Sequence, residues 1–314
     1  MAAAGTIAVY GALLGNLGVA VTKFWGASIT GSSAMLSEAI HSIVDTTDQV
    51  LLLVGRHRSR RPADAEHPFG HGKELYFWAL MVAVLIFGLG GGVSAYEGWL
   101  HIRHPEMLQN PMWNYVVLGC AFVFEGASFA IGLRSFHKER GSGQFWKKVL
   151  GSKDPTIFTV LAEDSSAIAG LVIAFLGIYF SHRFNMPVLD GLASVLIGVL
   201  LAGVASFLIY QSRGLLVGEG MDKEMADEIR RMASSLDLVD SVSNPVTMYF
   251  GPENVFLALD VNFRAAARAS EVAKAIDQME ERIQKRFPEI KRIYIEAQGV
   301  SAKVRSPESP QNRG

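Results

Sequence analysis

Glu38, His41, Asp45 and Asp48 follow one another at spacings of three, four and three residues inside an otherwise apolar stretch. At 3.6 residues per turn, such spacings fall on one narrow face of a helix. Neutral imidazole nitrogen and ionised carboxylate oxygen both bind divalent transition metals, zinc taking them at about 2.0–2.2 Å. The stripe therefore carries half of a metal site. Any one of these groups alone would be read as a hydrogen-bonding partner of a neighbouring helix, but an imidazole and two aspartates stacked in one apolar stretch favour a metal. A second pair, Glu163 and Asp164, interrupts VLAEDSSAIAG, where small residues let another helix come close. Adjacent helical positions point about 100° apart, so the pair cannot aim equally at one ion. Asp164 is taken as the ligand, and Glu163 as a fourth ligand, a supporting group or a proton carrier. A third constellation lies in ADAEHPFGHG. There His67 and His71, with Asp64 nearby, can form a three-ligand zinc set, or Pro68, Gly70 and Gly72 shape a turn and the histidines cap the next helix.

Composition says what kind of chain must position these groups. Half of the 314 residues are hydrophobic and only 19% are charged, against about 25% in a soluble domain. The deficit is local. Residues 1–210 hold 14 basic and 14 acidic side chains, and residues 211–314 hold 15 and 16. Charge density thus roughly doubles after Tyr210, which divides a membrane half from a soluble half. A net charge of −1 argues against nucleic acid as a partner. The single cysteine, Cys120, excludes a disulfide framework within the chain. All eight histidines lie at or before His182. An apolar N-terminus without a basic leader or small-residue cleavage motif reads as a first membrane span, not a signal peptide.

Spans of about 20 apolar residues are expected near 6–26, 34–55, 75–100, 112–136, 156–180 and 186–210. Acidic residues within them cost at least ~2.5–3.5 kcal/mol each at mid-membrane depth, so the helices must turn those faces inward. Eleven basic residues fall in the connections after the second and fourth spans, from Arg56 to Lys73 and from Arg134 to Lys153. Only Lys23, Arg103 and Arg183 are assigned to the other side. The positive-inside rule then puts both termini in the cytoplasm. Glu125 and Glu97 either line a cytoplasmic or outer vestibule or, as the favoured reading, are hydrated helix-end residues, and Asp190 is a favourable charge at the N-terminus of its own helix. Gly88 and the glycines that follow it offer a face for close helix packing.

The last third alternates elements as αββαβ, close to a ferredoxin-like unit. Residues 222–236 are helical, VDSVSNPVTMYF and NVFLALDVNF are strands joined by a GPEN turn, a helix is capped by Ser270, and IKRIYIEAQ is the third strand. The expected divisions are a transmembrane domain over 1–210, a cytoplasmic dimerisation domain over 211–304 and a disordered tail over 305–314.

SSAMLSEAIHSIVDTTDQVLLLVG followed by HPFGHGKELY closely resembles the cation diffusion facilitator, or zinc-transporter, family. The resemblance covers almost the whole chain. It implies a six-transmembrane-helix bundle with a cytoplasmic ferredoxin-like domain, a homodimer in the lipid bilayer, and export of a divalent metal from the cytoplasm in exchange for protons. His41 and Asp45 match the family's transport-site pair on the second helix, and Asp164 matches the aspartate on the fifth. The family's histidine four residues before that aspartate is here Val160, which resembles the branch carrying Glu-Asp, with Glu163 beside the aspartate. One nitrogen ligand fewer weakens the preference for Zn2+ over Mn2+, Fe2+, Co2+ or Cd2+. Asp64, His67 and His71 match the family's second metal site. Lys73 matches a lysine that pairs with an acid after the sixth helix, where this chain has Val217 with Glu219 close by. Family tails often bind metal through histidine, but here Tyr294 stands in that place and leaves Asp260 and Glu296 as isolated acids.

The functional expectation is an integral-membrane carrier, in the inner membrane if the cell is bacterial, exporting Zn2+ by proton antiport. No cofactor is expected beyond the transported ion. His41 is read as the proton-coupling group, because imidazole titrates between about pH 5 and 8. Export of Mn2+, Fe2+ or Co2+ is the nearest alternative, and a non-transporting metal sensor or scaffold is another. An enzyme is not expected, since no His-Glu-x-x-His motif occurs and no nucleophile lies beside a base.

Overall fold

The computed structural model describes residues 2–108, 110, 112–140 and 152–298. The chain divides into two compact units at Val217 and Gly218. Among the described residues, the first unit contains six long helices: α1 (Ala2–Thr30), α2 (Ser33–Ser59), α3 (Glu74–Arg103), α4 (Met112–Arg140), α5 (Pro155–Phe184) and α6 (Val188–Val217). Local chemistry marks their ends. Gly31 (φ 68°) turns the chain out of α1 through the left-handed region, where a Cβ is disfavoured. The Ser32 hydroxyl oxygen accepts from the Met35 N–H and caps α2. Asp154 accepts from the Thr156 N–H at the start of α5, with Pro155 in the first helical position. Asn185, also left-handed, ends that helix.

Among the described residues, four helical segments are long and apolar enough to cross a membrane: α3, Met112–Ala130 of α4, α5 and α6. Phe77, Phe122, Phe175, Leu196 and Val199 stand exposed on these helices. Apolar surface on that scale suits lipid tails and would be a liability in water. α2 is the least apolar by its residues, yet it packs against α1, α3, α5 and α6. Met35, Val44 and Leu52 from α2 join Tyr76, Val82, Ile178, Ile197 and Leu201 in one buried core. The acids of α2 are thus kept from lipid by neighbours on several sides.

The glycine face of α3 is used selectively. Residues Ile86–Val93 open into a π-helix, and Gly91 and Gly98 press against Gly198 and Gly191 of α6. A Cβ on Gly198 would lie 2.6 Å from the Ala95 nitrogen. Gly88 meets nothing within 4 Å. Tyr210, where the charge density changes, falls inside α6, which continues to Val217.

The second unit holds α7 (Lys223–Ser234), β1 (Val239–Val242), β2 (Val246–Gly251), β3 (Asn254–Phe263), α8 (Ala269–Arg286) and β4 (Ile290–Gln298). β3 is the hub. It pairs in parallel with β4 along Val255–Asn262, and antiparallel with β2 and then β1. Since a strand has two edges, β1 and β2 share the one that β4 leaves. The expected first strand is therefore broken at Ser243–Pro245, and Pro245 has no N–H to give a ladder. Alternate β3 residues Val255, Leu257, Leu259 and Val261 are buried with Ile229 of α7 and Met279 and Ile283 of α8. Ser270 does not cap α8, which begins at Ala269. Instead the Glu271 carboxylate accepts from the Arg268 N–H. Asp260 and Glu296 are not isolated, since they sit opposite each other on β3 and β4. Burial pushes the Tyr249 hydroxyl up to about 12, with Asp222, Glu289 and Glu219 adding in the same direction. The tail over 305–314 lies outside the described residues.

Candidate metal centre

α2 is fixed at its N-terminus by a residue from another helix. The Asp190 carboxylate of α6 accepts from the Ser32 hydroxyl (2.7 Å), the Ser33 N–H (2.6 Å) and hydroxyl (3.1 Å), and the Ala34 N–H (3.4 Å). Asp190 thus caps α2, beyond the expected role at its own helix, because the first N–H groups of a helix have no partner within it. The Ser37 and Ser194 hydroxyls, 2.6 Å apart, add a second tie between α2 and α6.

From that anchored end, α2 presents its polar face. His41 Nδ1 lies 3.2 Å from Asp45 Oδ1, one turn further on, but the two are not aligned for a hydrogen bond. His41 and Asp48 are buried, and neither imidazole nitrogen nor either Asp48 oxygen has a hydrogen-bond partner. Buried polar groups left unmatched are costly, and unmatched donor atoms of these types are what a cation would satisfy. α5 supplies the facing wall: Glu163 is buried and Asp164 half-buried. Asp45, Glu163 and Asp164 line one cleft together with Asn16 of α1 and Glu125 of α4. Glu163 lies within electrostatic reach of Asp45, Asp48 and Asp164. Val160, one turn before Asp164, lines an adjoining groove with Gln49 and Leu52 of α2.

The loop set is tighter. Asp64, His67 and His71 place ligand atoms all within 4.8 Å of one another, the one such set of three among the described residues. The α2 and α5 groups share a cleft but are spread more widely. Asp64 Oδ1 accepts from the His67 N–H at 2.7 Å and stands 3.3 Å from His67 Nδ1, while Asp64 Oδ2 is 3.5 Å from His71 Nε2. The His67 N–H holds the Asp64 carboxyl below the usual carboxylate range, and both imidazoles push the same way. Gly70, at φ 82°, lets the chain turn between the two histidines. His71 Nδ1 lies 3.2 Å from the Pro62 carbonyl. Donation to that carbonyl would leave Nε2 free to bind, the usual arrangement for a metal-binding histidine. Two imidazoles and a carboxylate fit zinc, and these three residues would hold it. The Lys73 ammonium donates to the Leu216 carbonyl near the end of α6, at 3.3 Å.

Lys23 is the residue that sequence reasoning misplaced. It is not a loop charge: it lies inside α1, fully buried. Its ammonium donates to Glu38 Oε2 (3.0 Å), Ser42 Oγ (2.8 Å) and Glu125 Oε1 (2.7 Å). Glu125 is likewise no hydrated helix end, being mostly buried and paired. The available signal was a lysine in VAVTKFWGA with apolar residues on both sides. A buried ammonium needs partners, so Glu38 should have been sought as one.

Comparison with known proteins places these features in company. Residues 9–217 match a family model described as the cation efflux transmembrane domain. The chain is 33% identical over 236 residues to the Xenopus laevis proton-coupled zinc antiporter SLC30A9, mitochondrial, covering 74% of this chain and 42% of that protein. The Homo sapiens protein of the same name is 32% identical over 266 residues, 83% of this chain and 47% of its own length. Metal tolerance protein C4 of Arabidopsis thaliana is 32% identical over 264 residues, 82% of this chain and 56% of its own. The chain thus spans about half the length of these relatives.

Proposed function

Because the chain belongs to the cation diffusion facilitator (cation efflux) family, we propose that it exports Zn2+ from the cytoplasm by proton antiport. The protein is a membrane transporter, not an enzyme. The observation that carries the reading is the cleft in which the α2 acid Asp45, next to His41, faces Glu163 and Asp164 of α5. On this account all six long helices span the membrane, with both termini cytoplasmic. The second unit is a ferredoxin-like module that pairs two copies of the chain.

Zn2+ arriving from the cytoplasm is taken by the His41 imidazole, Asp45, Asp164 and Glu163, with Asp48 behind them. Binding needs a free imidazole lone pair and ionised carboxylates, so the metal displaces protons. Movement of α2 against α5 then opens the cleft outward, where protons compete for the same atoms. The names of the SLC30A9 relatives, proton-coupled zinc antiporters, support this coupling. The Asp64–His67–His71 set is a second, stationary zinc site in the loop between α2 and α3.

One observation favours a second reading. Val160 leaves a single imidazole among several carboxylates, a donor set that suits Mn2+, Fe2+ or Co2+ better than a two-imidazole site would. Reconstituted protein should be loaded with a pH gradient and offered Zn2+, Mn2+, Fe2+, Co2+ and Cd2+ in turn. Zn2+ uptake with matching proton release supports the first reading, and preference for another ion the second. Metal binding with no flux of any ion would make the protein a sensor or scaffold.

A further inference from the structure

Beyond the α2 and α5 ligands, the cleft has a wall on α4. Glu125 supplies it, lining the same cleft as Asp45, Glu163 and Asp164 and lying within electrostatic reach of Asp45 and Asp164. Its two oxygens have different surroundings. Oε1 accepts from Lys23 at 2.7 Å, while Oε2 is buried without a partner. The Lys23 ammonium, with its three N–H bonds, is fully matched by Glu125, Glu38 and Ser42. It therefore holds one half of the Glu125 carboxylate and leaves the other available. Glu38 secures this arrangement from α2, packed so closely on α5 that a Cβ on Gly170 would collide with it.

We propose that Glu125 is a further metal-binding carboxylate of the transport pathway, and that Lys23 is the positioning residue that holds it toward the cleft. This inference rests on the transport-site reading above. Removal of Lys23 would leave Glu125 and Glu38 without their shared cation in a buried place, where an isolated carboxylate is disfavoured. Arg, which keeps the charge, can hold Glu125 in the same way. A plain helix staple makes a different forecast. Glu125→Gln keeps an oxygen acceptor for Lys23 and nearly the same volume, so it preserves the staple. An amide is a poor metal ligand, so it does not preserve the site.

The test is equilibrium binding of Zn2+ and Mn2+ to the purified full chain, by competition with a fluorescent chelator, alongside melting temperatures. A His67→Ala, His71→Ala background removes the loop's contribution. Glu125→Gln should weaken binding roughly tenfold, about 1.4 kcal/mol, with an unchanged melting temperature. Lys23→Met should weaken it similarly, the double variant no more than either single one, and Lys23→Arg should retain most of the affinity. Unchanged affinity in Glu125→Gln while Asp45→Ala loses binding would overturn the inference and leave the transport site standing. Unchanged affinity in Asp45→Ala as well would remove the transport-site reading itself. Additive losses in the double variant, or Lys23→Arg binding as poorly as Lys23→Met, would overturn the role of Lys23.

Discussion

Removing the Asp190 carboxylate should unseat the helix that carries His41 and Asp45. Four donors from Ser32, Ser33 and Ala34 converge on it at 2.6–3.4 Å, and Asp190 is fully buried. In Asp190→Ala the two hydroxyls can turn to other acceptors, but the Ser33 and Ala34 N–H groups are fixed by the helix and cannot. A buried donor left unmatched costs about 1–3 kcal/mol. One short and one long bond together give a loss of about 2–4 kcal/mol. For a folded unit of about 200 residues, each kcal/mol shifts the melting temperature by roughly 2–4 °C. A fall of roughly 5–15 °C is therefore expected on heating the detergent-purified protein, followed by the monodisperse fraction on gel filtration. Asp190→Asn, which keeps one acceptor oxygen, should lose about half as much, and zinc flux should fall in both. An Asp190→Ala protein that melts within about 2 °C of wild type would refute the clamp.

Val160→His should restore a second imidazole and raise the preference for Zn2+ over Mn2+ in competitive binding. An unchanged ratio would mean that residue 160 does not face the ion. Gly198→Leu should destabilise the protein by about 1–3 kcal/mol, the range for overpacking, because its Cβ would press on the α3 backbone at 2.6 Å. Gly88→Leu, facing open space, should not, and equal melting temperatures would refute the packing argument. The depressed Asp64 carboxyl makes its contact with His67 present above the ordinary value of about 3.9 and lost as pH falls through the lower folded value. The Asp64 carboxyl carbon resonance should therefore shift with a midpoint below about 3.9. A shift midpoint at or above about 3.9 would contradict this.

The polar face of α2 could be read from spacing alone, because a helix repeats at 3.6 residues whatever surrounds it. The alternation that marks β3 is local in the same sense. What escaped reading depends on partners distant in the chain. Lys23 meets Glu125 across 102 positions, and Asp190 meets Ser33 across 157. Helix periodicity places a charge on a face without saying which helix that face meets, so the sequence alone reads Lys23 as a charge on the non-cytoplasmic side and Glu125 as a hydrated helix end. The break between β1 and β2 had a visible cause in Pro245, but alternation on either side hid it. Asp260 and Glu296 look isolated in sequence because strand register, which sets them opposite each other, is a property of the sheet.

The location of the ion itself is the most direct test of the account. Diffraction from crystals grown with Zn2+, recorded at the zinc absorption edge, should show an anomalous peak between α2 and α5. The peak should lie about 2.0–2.2 Å from an imidazole nitrogen of His41 and from carboxylate oxygens of Asp45 and Asp164. A peak at Asp64, His67 and His71 with none in the α2–α5 cleft would contradict it.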